Sequence, residues 1–355
     1  MMMEKIKILM ALRENGQNGG PYVSHKRIME SRLKEKYNFI VLNVPRARQL
    51  LNPLEMIKFI KTIKREKPGL VHIAGLQLEG FLPMVACNIA GIKTVLAVHG
   101  SIAEAENLSS TRKFIANLYE IYTLKHADMV YAVSKYVAKW KLCRYAKNFY
   151  GVIYNFCGIE GVSKESSIRQ ELGISVNDIV VVSTGRIIKE KGYDILWETI
   201  QKLGHSERVK YIIVGNGNYL NTLKKEIKEK QYDKEVFCLG YRSDIDNLLS
   251  GSDVFIMCSK HETLCISLLE AARHSLPLVG TNVGGIPEII ENNKNGFLVN
   301  NLDIDGFAQA LSRLIKNSDL RVRMGKKSQD ISIKRFSNCN IEKKIDDMYS
   351  RILKE

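Results

Sequence analysis

The chain has no C-x-x-C pair, although seven cysteines stand at positions 87, 143, 157, 238, 258, 265 and 339. No zinc-like ligand spacing can be drawn without such pairs, and an odd count suits a disulfide framework poorly. Reduced thiols in a cytosolic protein are the simple expectation. Long hydrophobic runs are missing too: no apolar stretch reaches the ~20 residues that cross a bilayer as a helix. The opening MMMEKIKILMALRENG has only a short apolar core and no small-residue cleavage site, so it reads as a first strand rather than a secretory signal. There is no Walker-type phosphate loop. Acidic charge is scarce as well, with 38 Asp and Glu against 53 Lys and Arg, a formal net charge of +15.

What is present suits a two-domain protein. The length of 355 residues is about that of two ordinary domains, and 45% hydrophobic residues suffice for two cores. A charged fraction of 26% argues against general disorder. The basic excess is uneven: residues 1–160 carry a net +12 and the remainder +3. An anionic partner is therefore expected for the first half, and nucleic acid or an acidic membrane surface would both serve.

The most informative stretch runs from Asp253 to Glu288, DVFIMCSKHETLCISLLEAARHSLPLVGTNVGGIPE. DVFIMCS reads as a buried parallel strand. KHET is a loop with Thr263 as N-cap, and residues from Leu264 to Arg273 form a helix that ends before Pro277. LPLVGT is the next strand and GGIPE a second loop. Free N–H groups at a helix start attract anions such as a diphosphate. Glu270 lies one turn beyond Ile266, about 6 Å along the axis at 1.5 Å per residue, roughly the offset between a nucleotide's phosphates and its ribose diol. Glu262, before the helix, would stand at the sugar end. A lone pair of glutamates at this spacing is more often a solvated loop residue and a surface charge.

The whole run, however, resembles the E-x7-E segment of the retaining glycosyltransferases of family 4, and the likeness continues through LLEAARHSLPLVGTNVGGIPEII. Thr263 and Leu264 stand where that family usually has Gly and Phe. The resemblance implies an α/β protein of the GT-B type: two Rossmann-like domains facing each other across a cleft. Residues 1–160, joined by a C-terminal helix 341–355, would form the acceptor-side domain, and 161–340 the nucleotide-sugar domain.

In the first half KIKILMAL, FIVLNV, GLVHIAG and KTVLAVHGS read as strands. The glycine-rich RENGQNGG precedes a helical pattern, and Gly19 and Gly20 would let the backbone approach a phosphate. In the family such a loop contacts the donor diphosphate. Residues 52–67 form a basic helix with Leu54, Ile57, Ile60 and Ile63 at helical spacing. His99 ends an apolar strand, the edge at which open α/β sheets bind ligands, and the resemblance makes it a donor-sugar contact; His72 reads as packing. In SKYVAKWKLCRYAKNFY, basic residues alternate with Tyr136, Trp140, Tyr145 and Phe149. That pattern suits either an anionic lipid surface or an amphipathic helix with a solvated basic face. VIYNFCGIE resembles the family's linker into the second domain.

In the second half GRIIKEKG places Arg186 and Lys191 at a strand end. Arg binds phosphate as a fork and Lys as a point charge, and the resemblance makes both diphosphate ligands. Gly240, Tyr241 and Arg242 occupy the loop where the family meets the base, while the helix start at Leu264, Cys265 and Ile266 and the side chain of Glu270 complete the donor site. The D-x-D triplets at Asp244–Asp246 and Asp303–Asp305 read as helix caps rather than metal ligands. The expected activity is a metal-independent, retaining hexosyl transfer from a UDP-sugar, or a GDP-sugar, to a glycan acceptor in bacterial surface polysaccharide synthesis, with no cofactor. The acceptor would be polyprenyl-diphosphate-linked, and the protein cytoplasmic, peripheral at the inner face of the membrane through residues 1–160. A sugar-nucleotide epimerase of similar fold and a basic nucleic-acid-binding protein remain the alternatives.

Overall fold

The computed structural model describes residues 5–13, 19–102, 109–157 and 165–354. Two compact units divide the chain: Met1–Phe156 with Asn338–Glu355, and Cys157–Ser337. The linker expected around residue 160 lies partly outside the described residues.

Each unit is built on six parallel strands. In the first, β1 (Ile6–Leu12), β2 (Tyr37–Asn43), β3 (Leu70–Ala74), β4 (Thr94–Val98), β5 (Met129–Ala132) and β6 (Phe149–Val152) lie in the order β2-β1-β3-β4-β5-β6. Their near-continuous aliphatic runs are what a sheet covered on both faces requires: Ile8, Leu9, Met10, Val71, Val95 and Leu96 are all fully buried. Crossovers between parallel strands are right-handed, which decides the face each helix takes. α1 (Gly20–Glu30) leads from β1 outward to β2. α2 (Ala47–Leu50), α3 (Pro53–Glu66), α4 (Leu78–Ala90) and α5 (Ser110–His126) connect strands progressing the other way, so they share the opposite face, α3 against α4 and α4 against α5.

Two expectations for this unit need correction. On α3 the inward side is Phe59 and Ile63, whereas Leu54 and Ile57 are exposed; the helix carries apolar residues on two sides, and their spacing alone did not say which side packs. The stretch 135–150 is not one amphipathic helix. It is a single turn, α6 (Lys135–Ala138), a 3-10 turn over Lys141–Tyr145, and then β6. Three of its aromatics are occupied: Trp140 is buried with Tyr136 edge-on to it, and the Tyr145 ring carries the Lys125 and Arg144 cations at 5.6 and 5.4 Å, whereas Phe149 is exposed.

In the second unit α7 (Ile168–Glu171) precedes β7 (Ile179–Thr184), followed by α8 (Tyr193–Leu203), β8 (Val209–Val214), α9 (Leu220–Glu229) and β9 (Val236–Gly240). Then α10 (Ile245–Ser250) returns the chain to β10 (Val254–Met257), α11 (Ile266–Arg273), β11 (Leu278–Thr281) and β12 (Gly296–Val299). The strand order is β12-β11-β10-β7-β8-β9. α12 (Ile304–Lys316) packs on α8 and α13 (Ser318–Phe336) on α11. The last helix, α14 (Asn338–Lys354), belongs to the first unit, where Tyr349 is fully buried.

Candidate active site

Strand order locates the ligand edge of each unit. In open α/β sheets ligands bind beyond the carboxyl ends of strands, where the order reverses. In the second unit that point lies between β7 and β10, since β8 and β9 run off to one side and β11 and β12 to the other. The segments after β7 and β10 carry Arg186, Lys191 and Glu262.

Glycines let these loops interlock. Gly192 has φ +70°, and a Cβ there would stand 1.8 Å from the Cys258 carbonyl oxygen. Gly284 has φ +56°, and its Cβ would lie 1.7 Å from the Glu262 oxygen. Gly285 N–H donates to that same carbonyl at 3.1 Å, and Lys260 N–H donates to the Glu190 carbonyl at 3.0 Å. Only residues without side chains permit backbones this close. The loops after β7, β10 and β11 are thus locked together by main chain, with the charged side chains left over.

Among those side chains Lys191 forms an ion pair with Glu262, whose Oε1 also accepts from the Ser259 hydroxyl at 3.3 Å. Glu262 is only 8% exposed, so the pair keeps a buried carboxylate from standing alone. Arg186 is exposed beside Gly185 and carries no ion pair among the described residues. One cation is therefore held against a carboxylate and one is open to solvent.

The helix after β10 differs from expectation. α11 begins at Ile266, not Leu264; the residue at its N-cap is Cys265, without a side-chain cap, so Thr263 does not cap it. The reason lies in the loop, where Gly285 packs against the Thr263 carbonyl and holds that residue out of the helix. Leu264 and Cys265 are buried, and burial pushes the Cys265 thiol strongly up, so it stays protonated. Glu270 lies within α11, half-buried, one turn from Ile266.

Gly240, the last residue of β9, has φ +70°, and Tyr241 after it is exposed. The Arg242 guanidinium is engaged by Glu171 at 2.5 and 3.0 Å and by Asp244 at 2.8 and 2.7 Å. These contacts hold Asp244 well below the ordinary carboxylate range, and they leave the Arg242 side chain tied within the unit. Of the two D-x-D triplets, Asp303 caps α12 through Gly306 N–H at 2.8 Å. Asp244 stands at the N-cap of α10, but its carboxylate binds Arg242 and Asn247 instead of backbone.

The first unit offers a different chemistry. Gly19 is the N-cap of α1 and Gly20 its first residue. Its buried face consists of Ser24, His25 and Ile28, with the Ser24 hydroxyl donating to Asn155 Oδ1 at 2.7 Å. His25 packs on His72 with ring centroids 4.4 Å apart, and on His99 at 5.9 Å. His72 is fixed at both nitrogens, Nδ1 to the Tyr349 hydroxyl at 2.7 Å and Nε2 to the Tyr131 hydroxyl at 3.1 Å. Burial lowers all three pKa values: His72 to about 3, with His99 adding to the shift, His99 to about 4, and His25 well below the ordinary value, with its two neighbours contributing and the Pro21 carbonyl opposing. The three rings are neutral at pH 7. His99 Nε2 is buried without a hydrogen-bond partner among the described residues. Sequence reasoning missed His25. The available signal was a histidine on the same helical face as Ile28, an apolar position occupied by a polar ring.

A depression of about 470 Å³ lies elsewhere, between α8 and α9, lined by Asp194, Trp197, Glu198, Tyr219, Glu226 and Glu229 among others. Its carboxylates suit a diphosphate poorly.

Comparison with known proteins follows the same division. The family described as Glycosyl transferases group 1 matches residues 164–330, and Glycosyltransferase Family 4 matches residues 28–157. The UDP-Gal:alpha-D-GlcNAc-diphosphoundecaprenol alpha-1,3-galactosyltransferase of Escherichia coli is 28% identical over 83% of this chain and 78% of its own length. The N-acetyl-alpha-D-glucosaminyl L-malate synthase of Bacillus anthracis is 25% identical over 84% of this chain and 78% of its own. Among solved structures, Anabaena HepE in complex with UDP-glucose superposes with a TM-score of 0.80 at 22% identity, covering 98% of this chain and 100% of that one. Sucrose-phosphate synthase from Thermosynechococcus elongatus reaches 0.83 at 15% identity over 98% and 99%.

Proposed function

Because the chain belongs to glycosyltransferase family 4 and has the GT-B fold, we propose that it moves a hexose-type sugar from a UDP-sugar, with retention of configuration, to a lipid-linked glycan in bacterial surface polysaccharide synthesis. The observation that carries the proposal is the pairing at the second unit's switch point: Arg186 open to solvent beside Lys191 bonded to Glu262.

In this reading Arg186 grips the diphosphate as a fork, and Lys191 and the first N–H groups of α11, from Ile266 onward, add positive charge where negative charge develops on the leaving group. Glu262 and the neutral His99 orient the sugar through its hydroxyls. Glu270 accepts from the ribose, the Gly240–Arg242 segment faces the base, and Gly19 and Gly20 approach the diphosphate. The acceptor oxygen attacks the anomeric carbon as its bond to phosphate breaks, and a donor phosphate oxygen takes the acceptor's proton. Arg186, Lys191 and the helix start supply the cationic field, so the proposal needs no divalent metal. The base and the acceptor are supported by relatives: an Escherichia coli relative uses UDP-Gal and an undecaprenol-borne acceptor.

The test is a thermal-shift panel of UDP, GDP, ADP and their sugars in the presence of EDTA. UDP and one UDP-sugar should raise the melting temperature, and Arg186→Ala should abolish that shift. An Arg186→Ala protein that responds as the wild type does would overturn the diphosphate assignment. Label that stays on the free sugar nucleotide, never reaching an acceptor, would favour an epimerase.

A further inference from the structure

Helices α2–α5 bring together something the charge count alone does not show. On the outer face of the first unit, Leu51, Leu54 and Ile57 are 66%, 67% and 48% exposed, and Phe114, Ile115 and Leu118 are 65%, 55% and 57% exposed. Both triplets sit in the N-terminal halves of their helices or just before them, α3 and α5, and both helices begin at the carboxyl edge of the sheet. α4 lies between them, and its Leu78, Phe81 and Val85 are partly exposed. Scattered exposed leucines mean nothing, but large apolar side chains on three adjacent helices form a surface that a protein surrounded only by water would not keep.

The charge around this surface identifies its occupant. Residues 46–66, 78–90 and 110–126 carry nine Lys and Arg against four Asp and Glu. Each acid is already engaged: Glu55 with Lys58, Glu66 with Lys7, Glu79 with Arg13, and Glu120 with the Ser101 hydroxyl and Ile102 N–H. Arg46, Arg48, Lys61, Lys64 and Arg112 are exposed around the apolar residues. A second copy of the same face would bring these cations against each other, and an acidic protein would match them but not the apolar centre. A bilayer with anionic headgroups matches both at once, cations at the phosphate level and aliphatic and aromatic side chains below it.

We infer that α2–α5 form a docking face for an anionic lipid surface, centred on Leu54, Ile57, Phe114 and Leu118, with Lys61 and Arg112 among its headgroup contacts. Tyr136, Trp140 and Tyr145 are engaged within their own unit and are not part of that contact. The inference rests on the proposed function in one respect: the face lies at the ligand edge of its sheet, where a lipid-borne acceptor would be met. Lipid binding itself needs no donor and is measured separately from transfer.

The test is co-sedimentation of the full chain with vesicles of phosphatidylcholine alone or with phosphatidylglycerol added. The protein should pellet with the mixed vesicles, pellet at least tenfold less with phosphatidylcholine, and be released by salt. Leu54→Asp with Phe114→Asp should abolish pelleting, and Lys61→Glu should weaken it by fivefold or more, since one basic residue near such a surface contributes about a fivefold change. The exposed positions should leave the melting temperature and the UDP-induced shift unchanged, so a loss of vesicle binding is not a loss of fold or of nucleotide binding. Equal pelleting by wild type and the double variant would overturn the inference. So would a concentration-dependent dimer in sedimentation equilibrium that the same substitutions dissociate. A protein that docks but shows no UDP shift would leave the face standing and remove the transfer reading instead.

Discussion

The two units share an architecture and place opposite chemistries at its ligand edge. The second presents charge: Arg186 in solvent and Lys191 bonded to Glu262, on loops whose backbones touch at Gly192, Gly284 and Gly285. The first presents polarity without charge: three imidazoles kept neutral by burial and by one another. A charged group can remain partly wet and still act at a distance, so it tolerates a loop. A neutral imidazole acts only through contact, so it must be wedged into a core, and here the hydroxyls of Tyr349 and Tyr131 do the wedging.

If that contrast holds, acid should strike the first unit first. His72 and His99 have native pKa values near 3 and 4, below the ordinary 6.5, so the unfolded chain binds more protons throughout the interval between. Their contribution is whole above pH 6.5 and is lost as pH falls towards 4. At pH 5 each should cost about 2 kcal/mol relative to pH 7, about 4 kcal/mol together. Hydrogen exchange at the two pH values should show β3 and β4 deprotected before β7 and β10; uniform deprotection would erase the contrast.

A smaller effect is expected from the loops of the second unit. Gly192→Ala places a methyl against the Cys258 carbonyl at a positive φ, which should destabilise by about 3 kcal/mol and move Lys191 with it. Denaturant unfolding and the UDP shift should both respond, whereas Gly75→Ala, with open space around it but a φ of +87°, should affect stability alone. Smaller again is the pair itself. Lys191→Met leaves Glu262 buried and unpaired and should cost about 2 kcal/mol, and adding Glu262→Gln should recover part of it. Strict additivity of the two would mean that the pair is a surface contact after all.

The second unit was the more legible in sequence, and the contrast explains why. Loops that meet by backbone need glycine at particular positions, and cations need to follow them, so GRIIKEKG and NVGGIPE carry their structure in local spelling. The strands were legible for a similar reason, as unbroken aliphatic runs such as those of β4 and β7. His25 was not, because its meaning arises only when α1, β3 and β4 are brought together. Nor could α3 be oriented: Leu54 and Ile57 share its period with Ile63 yet face outward. The start of α11 was misplaced because the constraint on Thr263 comes from Gly285, some twenty residues on.

α14 carries a consequence for biosynthesis. Tyr349, which secures His72, emerges from the ribosome only after the whole of Cys157–Ser337. The usual order, in which the earlier domain folds first during translation, is therefore inverted for the finishing step: the intervening unit has all its strands in hand while the first still waits for its final helix. Until that helix docks, Tyr37 and His72 lack their shared partner, and a nascent chain halted before it would expose an unfinished histidine cluster to the cell's quality control.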